Sequence, residues 1–126
     1  MHWPEDIVAK GVRALFKDTA KGNYFLAECE SPDGKPEIAG QLMITFEWSD
    51  WRNGTFWWIQ SVYVKKEFRG RGVFRALYRE MLRLARKQKG GCGLRLYVEK
   101  ENRAAFRAHE KLGMKETYYR IFETKL

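Results

Sequence analysis

The chain has 126 residues, 44% of them hydrophobic and 15% aromatic, a size and apolar content suited to a single compact domain spanning 1–126. Eight Phe, six Tyr and five Trp exclude general disorder despite 32% charged residues. The longest charge-free run, Thr55 to Val64, falls far short of the roughly 20 apolar residues that a membrane helix needs.

The opening Met-His-Trp-Pro-Glu-Asp has neither the basic nor the apolar region of a secretory leader. Cys29 and Cys92 stand alone, without CxxC or other metal-ligand spacing. A reducing, cytoplasmic setting and no metal are therefore expected.

Taken in chain order, Pro4 to Phe16 reads as a short helix: Pro, Glu5 and Asp6 suit a first turn, and Ile7, Val8, Val12, Leu15 and Phe16 follow at near-helical spacing. Tyr24 to Glu28 is a strand candidate, and Ser31 to Pro36 is a turn cluster. Ile38 to Trp48 and Thr55 to Val64, both rich in β-branched and aromatic residues, form a hairpin through Arg52-Asn53-Gly54.

Beyond Val64 the period changes. Val73, Leu77, Met81, Leu84 and Ala85 repeat at helical spacing, with Arg75, Arg79, Arg83 and Arg86 on the other side. The glycines from Gly90 to Gly93 end this helix, and Leu94 to Glu99 alternates as a strand. Asn102 caps a second helix with Ala105, Phe106, His109 and Leu112 inward and Gly113 as its stop. Lys115 to Leu126 reads as a last strand. The order predicts an α/β or α+β fold, a sheet with flanking helices.

The basic excess is confined to one segment. Lys65 to Arg107 holds 14 basic residues against four acidic ones, a net of +10, whereas the remainder nets −2. A solvated basic helix face would account for this, and so would a localised anionic partner, either nucleic acid or a phosphorylated cofactor.

Arg69-Gly70-Arg71-Gly72 lies where the latter is served best, between a strand and a helix. Glycine lets the backbone approach a ligand closely, the first helical N–H groups have no partner within the helix, and the macrodipole and arginines favour an anion. A pyrophosphate fits that description. The loop has neither the GKS/GKT ending of a Walker loop nor the GxGxxG of a dinucleotide fold. The same four residues also occur as a plain turn or in disordered RNA-binding segments, which lack such apolar periodicity.

These residues resemble the GNAT superfamily of acyl-CoA N-acyltransferases. The family signature is Arg or Gln, two residues, Gly, one residue, then Gly or Ala, and Arg69, Gly72 and Phe74 occupy those places. Phe74 departs from the small residue expected. A second match runs from Asn102 through Ala105 to Leu112-Gly113-Met114, similar to the family's Asn-x-x-Ala helix and its closing corner. The resemblance covers about Tyr24 to the C-terminus and implies a mixed, mostly antiparallel sheet flanked by helices. It also implies a strand and helix ahead of this chain's start, so the family's first strand is expected to be missing. The sheet edge thus left open would be covered by a second subunit, as a homodimer, or by a repositioned N-terminus.

The resemblance implies acetyl-CoA as the donor. Val62, Tyr63 and Val64 would pair with the pantetheine arm, the backbone of Arg69, Gly70, Arg71, Gly72, Val73 and Phe74 would hold the pyrophosphate, and Asn102 would lie near the pantetheine. The basic segment then sits where coenzyme A brings its phosphates.

Acetyl transfer needs a neutral amine, stabilisation of an oxyanion and a proton for the thiolate. The donor to the oxyanion would be a backbone N–H near Val62 or Val64. Where many members carry a Tyr acid, seven residues past the Asn, this chain has His109, whose ordinary pKa of about 6.5 suits proton transfer. A helix residue packed on the sheet is the plainer reading of His109. The family's Glu on the preceding strand is replaced by Trp58, so the base falls to Glu47, with Asp50 and Glu28 as further carboxylates; each also reads as a solvated charge.

Trp48, Trp51, Trp57 and Trp58 beside Glu47 and Asp50 suit a cationic acceptor, a small amine or a lysine side chain, while a Trp-rich sheet core accounts for at least two of the four. The expected function is acetyl transfer from acetyl-CoA to such an amine. The competing readings are a non-catalytic acyl-CoA-binding relative and, less favoured, a basic nucleic-acid-binding module, which has no RNA-binding signature or zinc spacing behind it.

Overall fold

A computed structural model describes residues 5–126. Three helices flank one four-stranded sheet: α1 (Glu5–Lys17), β1 (Asn23–Glu30), β2 (Pro36–Ser49), β3 (Gly54–Val64), α2 (Val73–Lys87), β4 (Gly91–Leu96) and α3 (Arg103–Lys111). The strands lie in chain order, β1 to β3 antiparallel and β4 parallel to β3. The crossover through α2 is what makes the last pair parallel, since parallel neighbours cannot be joined by a tight turn. Pro4, placed at the start of the first helix by the sequence, lies outside the described residues.

The β2–β3 hairpin reverses where the sequence predicts. Asn53 takes φ +46°, a conformation its short polar side chain tolerates, and its N–H bonds the Asp50 carbonyl at 3.1 Å. Each bend in the sheet is made by an extra residue. In β2 this is Ala39, in β3 it is Gln60, and in β4 it is Cys92, where the pairing jumps from Thr55–Gly91 to Phe56–Gly93.

The core sits between the sheet and α2. Leu42, Ile44 and Met81 are fully buried, joined by Trp57, Ile59, Val73 and Leu77, while Arg75, Arg79, Arg83 and Arg86 stay exposed as the amphipathic pattern requires. Because Trp57 and Ile59 point to α2 and strand side chains alternate, Phe56 and Trp58 belong to the opposite face. Arg95 and Tyr97 share that face with them, for Leu94 and Leu96 pack on the core. α1 contributes little to this core: Leu15 is buried, but Ile7, Val8 and Phe16 are exposed, with Phe16 resting on Tyr24 at 5.2 Å.

Two expectations need correction. The fourth strand is Gly91–Leu96 rather than Leu94–Glu99. Helix α2 ends at Lys87 with extended Gln88 as its cap, Gly90 at φ +89° lies in the turn that follows, and Gly91 and Gly93 belong to the strand, where a Cβ would lie 2.4 Å from the Ala85 carbonyl oxygen and 2.9 Å from the Phe56 ring, respectively. The strand stops at Leu96 because β3 turns away at Gln60 and leaves Tyr97 without a partner.

Lys115–Leu126 forms no strand. After Gly113, at φ +93°, the chain joins no ladder, and its apolar residues Tyr118, Ile121 and Phe122 are exposed instead of settling on one face of the sheet. Among the described residues the outer edges of β1 and β4 are both unpaired. None of the described helices is long and apolar enough to cross a membrane.

Gly40 sits where β2 passes the end of β3 and the start of α2. A methyl group there would lie 2.8 Å from the Tyr63 carbonyl oxygen and 3.1 Å from Val73 Cγ1. Gly40→Ala is therefore expected to cost about 1–3 kcal/mol by overpacking. Urea unfolding should show a lower midpoint at unchanged slope; an unchanged midpoint would mean that the strand end yields freely.

Candidate active site

The loop between β3 and α2 is built for an anion. After Val64 the chain makes a short 3-10 turn, Lys66–Phe68, whose buried Phe68 anchors it to the core. Gly70 and Gly72 adopt φ +77° and +80°. A Cβ on either would meet no protein atom within 4 Å, so the backbone angle, not lack of room, calls for glycine here.

Gly72 caps α2, and the first bond into the helix runs from the Ala76 N–H to the Gly72 carbonyl at 3.0 Å. The N–H groups of Val73, Phe74 and Arg75 thus face outward with no helical acceptor, and no acidic residue occupies the first turn. Arg69 is partly committed to structure: its Nε donates to the Val64 carbonyl at 3.0 Å and its guanidinium lies over Tyr63. Arg71 rests over Phe68 and has no carboxylate partner among the described residues, which leaves its charge available to an anion.

Next to this loop the sheet opens. β3 pairs with β4 only from Thr55 to Ile59. The bulge at Gln60 then shifts β3, so that Ile59 faces Ile44 and Ser61 faces Met43, and from Ser61 to Val64 the strand is paired with β2 alone. Its other edge, including exposed Val62 and Tyr63, carries unpaired backbone groups opposite the departing Tyr97–Glu99. Such an edge can pair with amide groups of an extended ligand.

Asn102 works as the cap of α3, its Oδ1 accepting from the Ala105 N–H at 3.1 Å. Phe74 and His109 join the two helices, with ring centroids 5.6 Å apart in a T-shaped contact. His109 Nδ1 is buried without a hydrogen-bond partner, and burial pushes the imidazole pKa below its ordinary 6.5. The ring lines a cleft of about 560 Å³ whose walls include Leu94, Arg95 and Leu96 of β4.

Glu47 lines the same cleft from the other end. It accepts a hydrogen bond from Trp58 Nε1 at 2.9 Å and lies 3.6 Å from Arg95 Nη1. Paired with Phe56, it stands four strand positions before the bulge, roughly 13 Å along β3. That distance sets it apart from the point where the strands part. Asp50 accepts from the Trp51 N–H in the hairpin turn, and Glu28 lies on β1, two strands away.

Of the four hairpin tryptophans only Trp57 belongs to the core. Trp58 is half-buried and stacks on Tyr97 at 4.5 Å, whereas Trp48 and Trp51 are exposed, Trp51 by 83%. Sequence reasoning missed the Gln60 bulge and the Arg95 cluster. The available signal for Arg95 was a lone cation alternating with Leu94 and Leu96 in an apolar strand.

Residues 2–114 match the family model described as Acetyltransferase (GNAT) family. The chain is 29% identical over 104 residues to a thialysine N-epsilon-acetyltransferase of Bos taurus, the match taking in 80% of this chain and 60% of that protein's length. It superposes on a crystal structure described as a possible acetyltransferase from Clostridium difficile 630 with a TM-score of 0.85 and 42% identity, over 100% of this chain and 80% of that one. An aminoglycoside N-acetyltransferase solved in complex with CoA matches with a TM-score of 0.68 and 25% identity, over 97% of this chain and 87% of that one.

The His109 environment makes a pH-dependent contribution to stability. An unfolded imidazole takes up its proton near 6.5, above the folded value, so this contribution is complete above pH 6.5 and is lost as pH falls through the folded pKa. The window lies above the range in which Asp18, Asp33 and Glu80 titrate. Urea midpoints should drop between pH 7.5 and 5.5, and the drop should shrink in His109→Phe; an equal drop in both proteins would remove His109 as its source.

Proposed function

Because the chain belongs to the acetyltransferase (GNAT) family, we propose that it transfers an acetyl group from acetyl-CoA to a primary amine, forming an amide and releasing the thiol. The observation that carries this reading is the parting of β3 from β4 at the Gln60 bulge, directly upstream of the glycine loop. A line of free strand groups thereby leads into a cluster of free helix N–H groups, one suited to amides and the other to phosphates.

The residues present fit the donor. The N–H groups of Val73, Phe74 and Arg75, with Arg71, would hold its pyrophosphate, and the open edge Val62-Tyr63-Val64 would hold its pantetheine arm; when bound it supplies an activated acyl group. A backbone N–H of the splayed edge, beyond Gln60, would face the acyl oxygen. Asn102, which caps α3, would lie near the pantetheine arm.

His109 starts neutral at pH 7 because burial disfavours its cation. Its Nε2 would accept the proton that the amine nitrogen loses and return it to the departing sulfur, so that no net charge is left on the protein. Glu47, far along β3, would act on the acceptor's charge, through water or directly, rather than at the reacting carbon.

The bovine relative is named for acetylation at the N-epsilon of thialysine, and the CoA-bound relative for N-acetylation of aminoglycosides. Both names support an amine nitrogen as acceptor. Under the same reading the unpaired outer edge of β1, with exposed Leu26, is the surface that a second subunit would cover; a monomeric mass in solution would count against that dimer.

A second reading, a non-catalytic acyl-CoA-binding protein, is favoured by one feature. Phe74 replaces a small residue and packs against His109, filling space beside the channel.

Calorimetric titration should give about one equivalent of acetyl-CoA per chain, with ATP as a weak control. Arg71→Glu should weaken this binding roughly tenfold or more by placing an anion at the socket; unchanged affinity would take Arg71 out of the site. His109→Phe should lower kcat by roughly 10²-fold or more while acetyl-CoA binding stays nearly constant. Full turnover in that variant would exclude His109 as proton carrier, and background turnover by the native protein across a panel of amines would favour the non-catalytic reading.

A further inference from the structure

Arg95 is held in an unusual way for a surface cation. Its side chain is only 20% exposed, and the guanidinium carbon lies over Phe56, 3.6 Å from the ring centroid, with the Trp58 and Tyr119 rings at 5.9 and 5.8 Å. Aromatic faces satisfy the plane of a guanidinium but leave its N–H groups, which point outward in that plane, without acceptors.

Among the described residues no oxygen accepts a hydrogen bond from Arg95. The carboxylate at hand, Glu47, is 3.6 Å from Nη1, too far for a hydrogen bond, and its Oε1 already accepts from Trp58 Nε1. A fork of donors, largely covered and oriented by aromatic packing, is therefore presented to the cleft that His109 lines at its other end.

We propose that Arg95 is a specificity residue for the acceptor: it receives the carboxylate of a free α-amino acid whose side-chain amine is the group acetylated. This deepens the acetyltransferase reading and rests on it. A carboxylate matches the geometry of the fork with two parallel hydrogen bonds, whereas a simple diamine offers it only another cation. Glu47, half-exposed and 3.6 Å away, supplies the opposite charge for the α-ammonium. The loosely paired Glu47 and Arg95 thus complement both charges of a zwitterion.

The spacing agrees. From Phe56, beneath the Arg95 guanidinium, to the bulge at Gln60 is four strand positions, roughly 13 Å. An extended lysine-length chain, hydrogen-bonded at its carboxylate and within attack distance at its amine, covers a comparable span. Trp58, on the same strand face between those two positions, and Tyr97, whose ring stacks on it at 4.5 Å, offer apolar surface to the methylenes.

The test compares acceptors differing in this one group. With the full chain saturated with CoA, the affinities of L-lysine, cadaverine and Nα-acetyl-lysine amide would be measured by calorimetry, and kcat/KM for each with acetyl-CoA by thiol release. L-lysine should bind at least tenfold more tightly than either compound lacking the carboxylate and show the same preference in kcat/KM. Arg95→Gln should bring the lysine-to-cadaverine ratio toward one, and Arg95→Lys, which keeps the charge but not the fork, should give an intermediate ratio.

The native protein decides without any variant: equal or weaker binding of lysine relative to cadaverine overturns the proposal, as does a ratio left intact in a folded Arg95→Gln protein. Turnover of amines with no carboxylate preference would sink this inference and leave the acetyltransferase reading standing. Failure to bind acetyl-CoA at all would sink both.

Discussion

The parting of two parallel strands organises the rest of this molecule. A sheet normally satisfies its backbone by continuing, and an open edge inside a fold is a cost that packing elsewhere must offset. Here β3 and β4 stay paired for only five positions of β3, Thr55 to Ile59, before the extra residue Gln60 turns β3 toward β2. Beyond that point β3 is supported from one side only. The buried cluster of Leu42, Ile44, Ile59, Leu77 and Met81 lies under the last paired position and holds the sheet on α2. Core packing thus holds the backbone around an opening it could otherwise close.

That opening gains meaning from the glycine loop just beyond it in the chain. Val64 leads within a few residues to Gly70 and Gly72, so the free strand edge runs into the free N–H groups of α2. No acidic residue interrupts this path at the helix start, and the arginines of α2 lie along its outer face. The other side of the sheet has a different character. On the sheet face opposite α2, Glu47, Trp58, Arg95 and Tyr97 form an aromatic wall with one charge of each sign. A polyanionic donor and a small charged acceptor would therefore meet surfaces of different electrostatic character, and the two approaches are separated by the sheet itself.

Most of this scaffold was legible in the residues. Helical periodicity placed α2, the Asn-Gly turn placed the hairpin, and Asn102 proved to cap α3. These features depend on local backbone preferences and on one apolar face, which sequence reports directly. The bulge at Gln60 was not legible, because an extra residue in one strand is defined only by its partner across the ladder. The glycines of β4 misled for a related reason. Gly91 and Gly93 resemble a helix terminator, yet they are required by close approach of Ala85 and Phe56 from elsewhere in the fold. Lys115–Leu126 has the alternation and aromatic content of a strand, but alternation does not supply a neighbour to pair with. Arg95 stayed unnoticed because its importance comes from the rings around it, contributed by β3 and by Tyr119 far along the chain.

The two departures from the family signature, Phe74 for a small residue and His109 for a tyrosine, look independent because they lie far apart in sequence, but they are one structural feature. Phe74 stands in the first turn of α2 and meets the imidazole edge-on at 5.6 Å. Burial lowers the imidazole pKa below its ordinary value, and the Phe74 ring is one of the apolar groups packed against it. A phenol in place of the imidazole would be neutral at pH 7 in either surrounding, whereas a histidine is fixed in that state only if something covers it. Phe74 contributes to that cover from the first turn of α2, the turn whose N–H groups have no helical acceptor.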